Sequence, residues 1–243
     1  ARYIEQVLVE EAVDYLSHHP VVSVSPVDAV TRLAFNPNGN STWFMAVMQL
    51  VNMSTLLGIL LTGAALIRER EHGTIEHLLV MPLSAAEIML AKIWSNALVI
   101  LVAATLSVLV VVRGVLEVPM AGSIPLFLLG LAAYLSSLTA IGILLATVAR
   151  SMPQFGLLSI PVFLVMYMLS GSVTPLDTMP ELLQRIMLVS PTTHFVAFSQ
   201  SVVFRGAGIE VVWPHLLATA GIGALAFAAA LARFRRTVTL TRL

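Results

Sequence analysis

The chain has 243 residues, of which 58% are apolar and 11% charged, with thirteen basic residues balancing thirteen acidic ones. A soluble domain carries roughly 25% charged residues, so long uncharged blocks at this density point to a bilayer rather than a water-soluble core. The zero net charge gives no reason to expect nucleic acid as a partner, and the absence of cysteine excludes disulfides, thiolate metal sites and cysteine nucleophiles.

The opening Ala1-Arg2-Tyr3 carries neither an initiating Met nor a leader, and the expectation is that sequence is missing upstream. Over residues 2–17, Tyr3, Val7, Leu8, Ala12, Val13 and Leu16 share one helical face, while Glu5, Glu10, Glu11 and Asp14 occupy most of the other. That spacing predicts an amphipathic, acidic, water-side helix. Val21 to Ser25, between Pro20 and Pro26, reads as a short strand, and Phe35 to Asn40 as turn chemistry. Residues 1–43 are accordingly assigned to an external segment, the C-terminal part of an extracytoplasmic domain, and 44–243 to a transmembrane domain.

Five runs, uncharged apart from Lys92 in the second, are long enough to cross a bilayer, which takes about 20 residues. They fall at about 44–67, 88–112, 123–149, 155–173 and 211–232. The second includes Lys92, which can snorkel to the interface. Ile186 to Phe204 is also uncharged, but it holds Ser190, Pro191, Thr192, Thr193, His194, Ser199, Gln200 and Ser201. Each polar group left unsatisfied in lipid costs several kcal/mol, so a re-entrant helix pair fits this stretch better than a sixth span. With five spans, one side of the membrane receives Arg68, Arg70, Lys92, Arg150, Arg233, Arg235, Arg236 and Arg242 against Glu69, Glu71, Glu76 and Glu87. The other side receives the remaining five basic and nine acidic residues. The positive-inside rule puts the first side in the cytoplasm, with the N-terminus outside and the C-terminus inside.

The loop from Arg68 to Glu87 carries the most information. Gly73 breaks the helix leaving the membrane, Thr74 is a good N-cap, and Glu76 sits near the positive end of the next helix dipole. Ile75, Leu78 and Leu79 then share a face, Pro82 stops the helix, and Ser84-Ala85-Ala86-Glu87 forms a capping box for the next span. A short amphipathic helix of this kind either docks into a partner's groove or rests on lipid headgroups, and its residues alone leave both open. Polar residues inside the spans are few: Gln49, Asn52, Ser54, Thr55, Ser95, Asn96, Ser136, Ser137 and Thr139. Hydrogen bonding between helices is the role expected of them. No acidic or basic residue sits mid-span, which argues against proton coupling or an ion channel. Met166, Tyr167 and Met168 would suit an apolar route, although such residues more often pack or form an interfacial belt.

Other chemistries find little support. There is no G-x-x-x-x-G-K-[ST] loop, so this chain is not expected to bind ATP in that manner. His72 and His77 are poorly spaced for one helical face and for a zinc site. Ser170-Gly171-Ser172 with His194 offers the residue types of an intramembrane serine protease, but loop serines and a lone His more often serve turns and caps.

The stretch R-E-R-E-H-G-T-I-E-H-L-L-V-M-P-L, followed by A-x-x-I-M-L-A-K-I, resembles the first cytoplasmic loop of type-2 ABC transporter permeases, the drug, lipid and polysaccharide exporter class. F-N-P-N-x-x-S-x-W-F, from Phe35 to Phe44, is similar to the end of their external domain. G-S-V-T-P-L-D-T-M-P and S-P-T-T-H-F, from Gly171 to Phe195, resemble their external re-entrant helix pair. The resemblance implies an all-α integral membrane permease with a short cytoplasmic coupling helix, in which Glu69, Glu71, Gly73, Thr74, Glu76 and Leu78 contact ABC ATPase subunits. Pro175, Pro180, Pro191 and His194 become a candidate external gate. It further implies a second permease copy or paralogue, a bacterial inner membrane, no cofactor held by this chain, and ATP hydrolysed by the partner. The family has six spans with a cytoplasmic elbow helix before the first, and this chain shows neither that helix nor the first span. A non-transporting membrane scaffold or assembly subunit is therefore the alternative reading.

Overall fold

The computed structural model describes residues 41–73 and 84–240, together with positions 7, 10, 11 and 14. The expected strand at 21–25, the turn at 35–40 and the loop helix from Thr74 to Pro82 lie outside the described residues. The chain divides into two compact units, Ala1–Leu33 and Ala34–Leu243. In the first, Val7, Glu10, Glu11 and Asp14 are exposed, including Val7, which the helical periodicity put on the apolar face.

The second unit is an all-α integral membrane bundle, with no strand among the described residues. It opens with α1 (Ser41–Glu71), whose 31 residues at 1.5 Å each reach about 46 Å, well beyond a hydrocarbon core of about 30 Å. The surplus includes the charged Arg68–Glu71 turn. The next helix, α2 (Ala85–Leu106), starts at the expected capping box: Ser84 N–H donates to Glu87 Oε2 at 2.7 Å, and Glu87 N–H to Ser84 Oγ at 3.3 Å. It continues as a π-helix over Ser107–Val115. Then come α3 (Ile124–Val148) and α4 (Met152–Leu169), each with proline in its first turn, where the missing N–H costs nothing. A 3₁₀ turn (Leu176–Thr178) leads to α5 (Glu181–Met187), α6 (Pro191–Arg205) and the long α7 (Ile209–Leu240).

Five of these helices, with α2 taken through its π-helix, are long and apolar enough to cross a membrane, and α5 and α6 are bent by 89° at their break. That bend gives Ile186–Phe204 the broken form its polar content argued for. Gly206, at φ 67°, ends α6 in the left-handed conformation that a side chain resists, and the chain turns into α7.

Buried at the centre, α3 packs against α1, α2, α6 and α7. Small residues permit the close crossings. A Cβ on Gly142 would lie 2.5 Å from the Ile59 carbonyl oxygen, so α1 and α3 touch backbone to backbone there. Many large apolar side chains on α2, α4 and α7 instead face outward, among them Trp94, Leu98, Leu157, Leu164, Trp213 and Leu217. Lipid is the natural solvent for such surfaces, since it imposes no penalty on exposed apolar area. The core forms two clusters, one around Tyr134, Phe195 and Phe198, the other around Ile67, Phe155 and Phe234.

Candidate functional site

Two ends of the bundle concentrate the polar chemistry. At the Arg68 end, α1 stops at Gly73, whose φ of 71° and N–H bond to the Arg70 carbonyl at 3.2 Å close the helix as the sequence expected. The charged residues before it reach three different neighbours. Glu69 forms an ion pair with Lys92 on α2, with 32% and 14% of the respective side chains exposed. Arg70 Nη1 donates to the Ala149 carbonyl at 2.8 Å, at the C-terminal end of α3. Glu71 Oε1 accepts the Met152 N–H at 3.0 Å, at the first residue of α4. His72 turns back to the Arg68 carbonyl, 2.7 Å from its Nδ1. Of the six residues expected to couple to a partner, Glu69, Glu71 and Gly73 are thus engaged within the chain, while Thr74, Glu76 and Leu78 lie outside the described residues. His77 lies outside them too.

At the opposite, Trp43 end, Trp43 Nε1 donates to the Leu116 carbonyl at 3.1 Å, and Phe44 faces Phe204 of α6 with ring centroids 6.0 Å apart. The four expected gate residues serve three successive elements. Pro175 precedes the 3₁₀ turn, Pro180 precedes α5, and Pro191 opens α6. His194 Nε2 lies 2.8 Å from the Leu188 carbonyl, across the bend, and its ring stands 5.8 Å from that of His215 on α7. Ser170 and Ser172, meanwhile, bond to each other at 3.1 Å, and Ser172 Oγ donates to Asn52 Oδ1 at 3.1 Å. The serines are therefore tied to α1, and His194 to the α5–α6 bend. Among the described residues no three of His, Asp and Glu converge as a metal would require.

A third cluster, among α1, α3 and α6, escaped the sequence reading. The buried Tyr134 hydroxyl on α3 lies 2.5 Å from Thr55 Oγ1 on α1 and donates to Thr192 Oγ1 on α6 at 3.1 Å. Its ring stacks on Phe195, centroids 4.2 Å apart and planes within 10°. The sequence pointed to Thr55 as a helix–helix hydrogen bonder, but nothing in spacing alone ties it to a tyrosine 79 positions away. Beside this cluster, a cleft of about 560 Å³ runs between α1 and the end of α4, lined by Gln49, Asn52, Tyr167 and Ser172 among others. Of the three residues considered for an apolar route, Tyr167 lines this cleft, Met166 is buried and Met168 faces outward.

A family model described as ABC-2 family transporter protein matches residues 5–232. The chain is 52% identical over 236 residues to the inner membrane transport permease YhhJ of Escherichia coli, covering 97% of this chain and 63% of that protein. It is 32% identical over 240 residues to the probable multidrug ABC transporter permease YbhR of Escherichia coli, covering 98% of this chain and 64% of that protein. A more distant similarity, 23% over 199 residues, links it to ABC transporter G family member 20 of Dictyostelium discoideum, covering 81% of this chain and 27% of that protein. The chain therefore spans just under two thirds of the length of the two bacterial relatives.

Proposed function

The chain belongs to the ABC-2 transporter family, and from that membership we propose that it forms the membrane core of a permease subunit in an ATP-driven exporter. The protein sits in a bacterial inner membrane with its Arg68 end in the cytoplasm. Its cargo is a drug-like, lipid or polysaccharide molecule, and hydrolysis is supplied by a separate ABC ATPase. A second copy or a paralogue completes the pathway.

The observation that carries this reading is the construction of the Arg68 end. A helix about 46 Å long projects past the bilayer and leads directly into the 74–83 loop, while its last turn holds three neighbouring helices. Force applied to that loop is delivered to the whole bundle rather than to one helix. ATP-driven closure of the partner presses the loop, α1 tilts, and the α5–α6 pair at the far end changes its packing on Tyr134. Nucleotide shifts such an equilibrium only by as much as its bound form prefers one state of the bundle.

The test is recovery of a partner. The full-length protein that carries this chain, tagged and extracted in mild detergent, is expected to bring down a P-loop ATPase, and inverted vesicles holding the pair are expected to accumulate a lipophilic dye or labelled lipid only with ATP. Recovery of the permease without any ATPase, even from chemically cross-linked membranes, would refute the reading.

A further inference from the structure

We propose that the Glu69-Arg70-Glu71 run is an internal clamp that makes α1, α2 and the α3–α4 turn move as one body, so that Glu69 and Glu71 are positioning residues for coupling rather than contacts to the ATPase. The inference rests on the permease reading above and refines it.

Three consecutive helical residues point about 100° apart, so one short run can address three neighbours, and this one does. Each contact satisfies a need on the receiving side. Lys92 is largely buried, and an ammonium group there requires a counter-charge, which Glu69 provides. The last carbonyls of α3 lack intrahelical partners, and the Arg70 guanidinium takes one of them at Ala149. The N-cap of α4, Ser151, makes no side-chain cap bond, and the Glu71 carboxylate accepts the Met152 N–H in its place. One helix end thus caps the end of a second helix, caps the start of a third and neutralises a fourth. The α3–α4 turn between them is pinned on its own side by Arg150 N–H donating to Gln154 Oε1 at 2.7 Å. With one oxygen of each carboxylate engaged inside the chain, Glu69 and Glu71 serve the rim of the bundle, and displacement of the loop after Gly73 carries α4 with it.

The experiment uses the full-length permease with its ATPase in nanodiscs, spin-labelled at His72 on the rim and at the exposed Leu157 on α4. The unmodified complex is expected to give one sharp distance that ATP with vanadate does not alter. Glu71→Ala and Glu69→Gln are expected to broaden it and to lower permease-stimulated ATP hydrolysis several-fold, with the ATPase still bound at its normal amount. The exchange Glu69→Lys with Lys92→Glu is expected to restore both readouts, which a direct partner contact would not permit. Loss of the ATPase from these two variants with the distance unchanged would overturn the clamp, and so would a distance in the unmodified complex that moves with nucleotide. If the unmodified permease holds no ATPase, the permease reading itself fails. The distance in the permease alone then reports separately whether Glu71→Ala loosens the rim.

Discussion

Some hydroxyl groups in the spans only fold back on their own helix while others also reach across to another, and the difference decides what each is worth. Ser136 Oγ donates to Ala132 O and Ser95 Oγ to Ala91 O, both four residues back on the same helix. Thr55 and Ser137 make such a bond too, to Val51 O and Ala133 O, but they also reach other helices through Tyr134 and the Thr219 carbonyl, and Asn52 reaches Ser172 just past α4. Hydrogen bonds between membrane helices contribute about 0.6 kcal/mol on average and up to about 1.7. Tyr134 makes two, so Tyr134→Phe is expected to cost about 1–2 kcal/mol and lower the melting temperature in detergent, followed by loss of the monodisperse gel-filtration peak. Ser136→Ala, by contrast, is expected to leave that temperature within error. The sequence identified Thr55, Ser137 and Asn52 as glue but also Ser95 and Ser136, because composition reports that a hydroxyl lies in a span and not which way the helix is turned.

Helices reveal themselves in a sequence through length and punctuation, and their ends show where that information stops. The five spans were legible because runs of about 20 uncharged residues have no cheaper solvent than lipid, and the α2 start was legible because Ser84 and Glu87 form a local capping box. The α5–α6 bend was also legible, since a polar stretch of that length cannot cross lipid unaided. The π-helix over Ser107–Val115 was not, because it differs from α-helix only in hydrogen-bond register, which composition does not encode. Nor was the clamp, whose Glu71 and Met152 are 81 positions apart. A charge run at the edge of a loop reads as a partner-facing surface until the neighbouring helix ends are in place. Two substitutions test the element ends and crossings. Gly206→Ala forces a side chain into φ 67°, with its Cβ 3.2 Å from the Ala121 carbonyl oxygen, and is expected to destabilise by about 1 kcal/mol. Gly142→Val must push α1 from α3, because even its Cβ would sit 2.5 Å from the Ile59 oxygen, and about 1–3 kcal/mol or more is expected from overpacking. Thermal denaturation of the two variants side by side checks the order, with Gly142→Val the less stable.

For the molecule as a whole, every functional reading turns on which end faces the cytoplasm, and the charges supply a physical reason for one answer. By sequence, the segments expected on the cytoplasmic side carry eight basic and four acidic residues, and those expected on the external side carry five and nine. Basic residues close to spans are retained on the cytoplasmic side during insertion, so the bundle is expected to stand with its clamp inside and its bent α5–α6 pair outside. The absence of cysteine from this chain makes the point directly measurable. Single substitutions Arg150→Cys, in the α3–α4 turn, and Asp177→Cys, in the 3₁₀ turn, place one thiol at each end, with any cysteine elsewhere in the full-length protein replaced by serine. In intact spheroplasts a membrane-impermeant maleimide is expected to label the variant at position 177 and to label the variant at position 150 only after permeabilisation. The reverse pattern would put the clamp on the outer face, beyond the reach of any cytoplasmic ATPase, and the coupling scheme would lose its engine along with its lever.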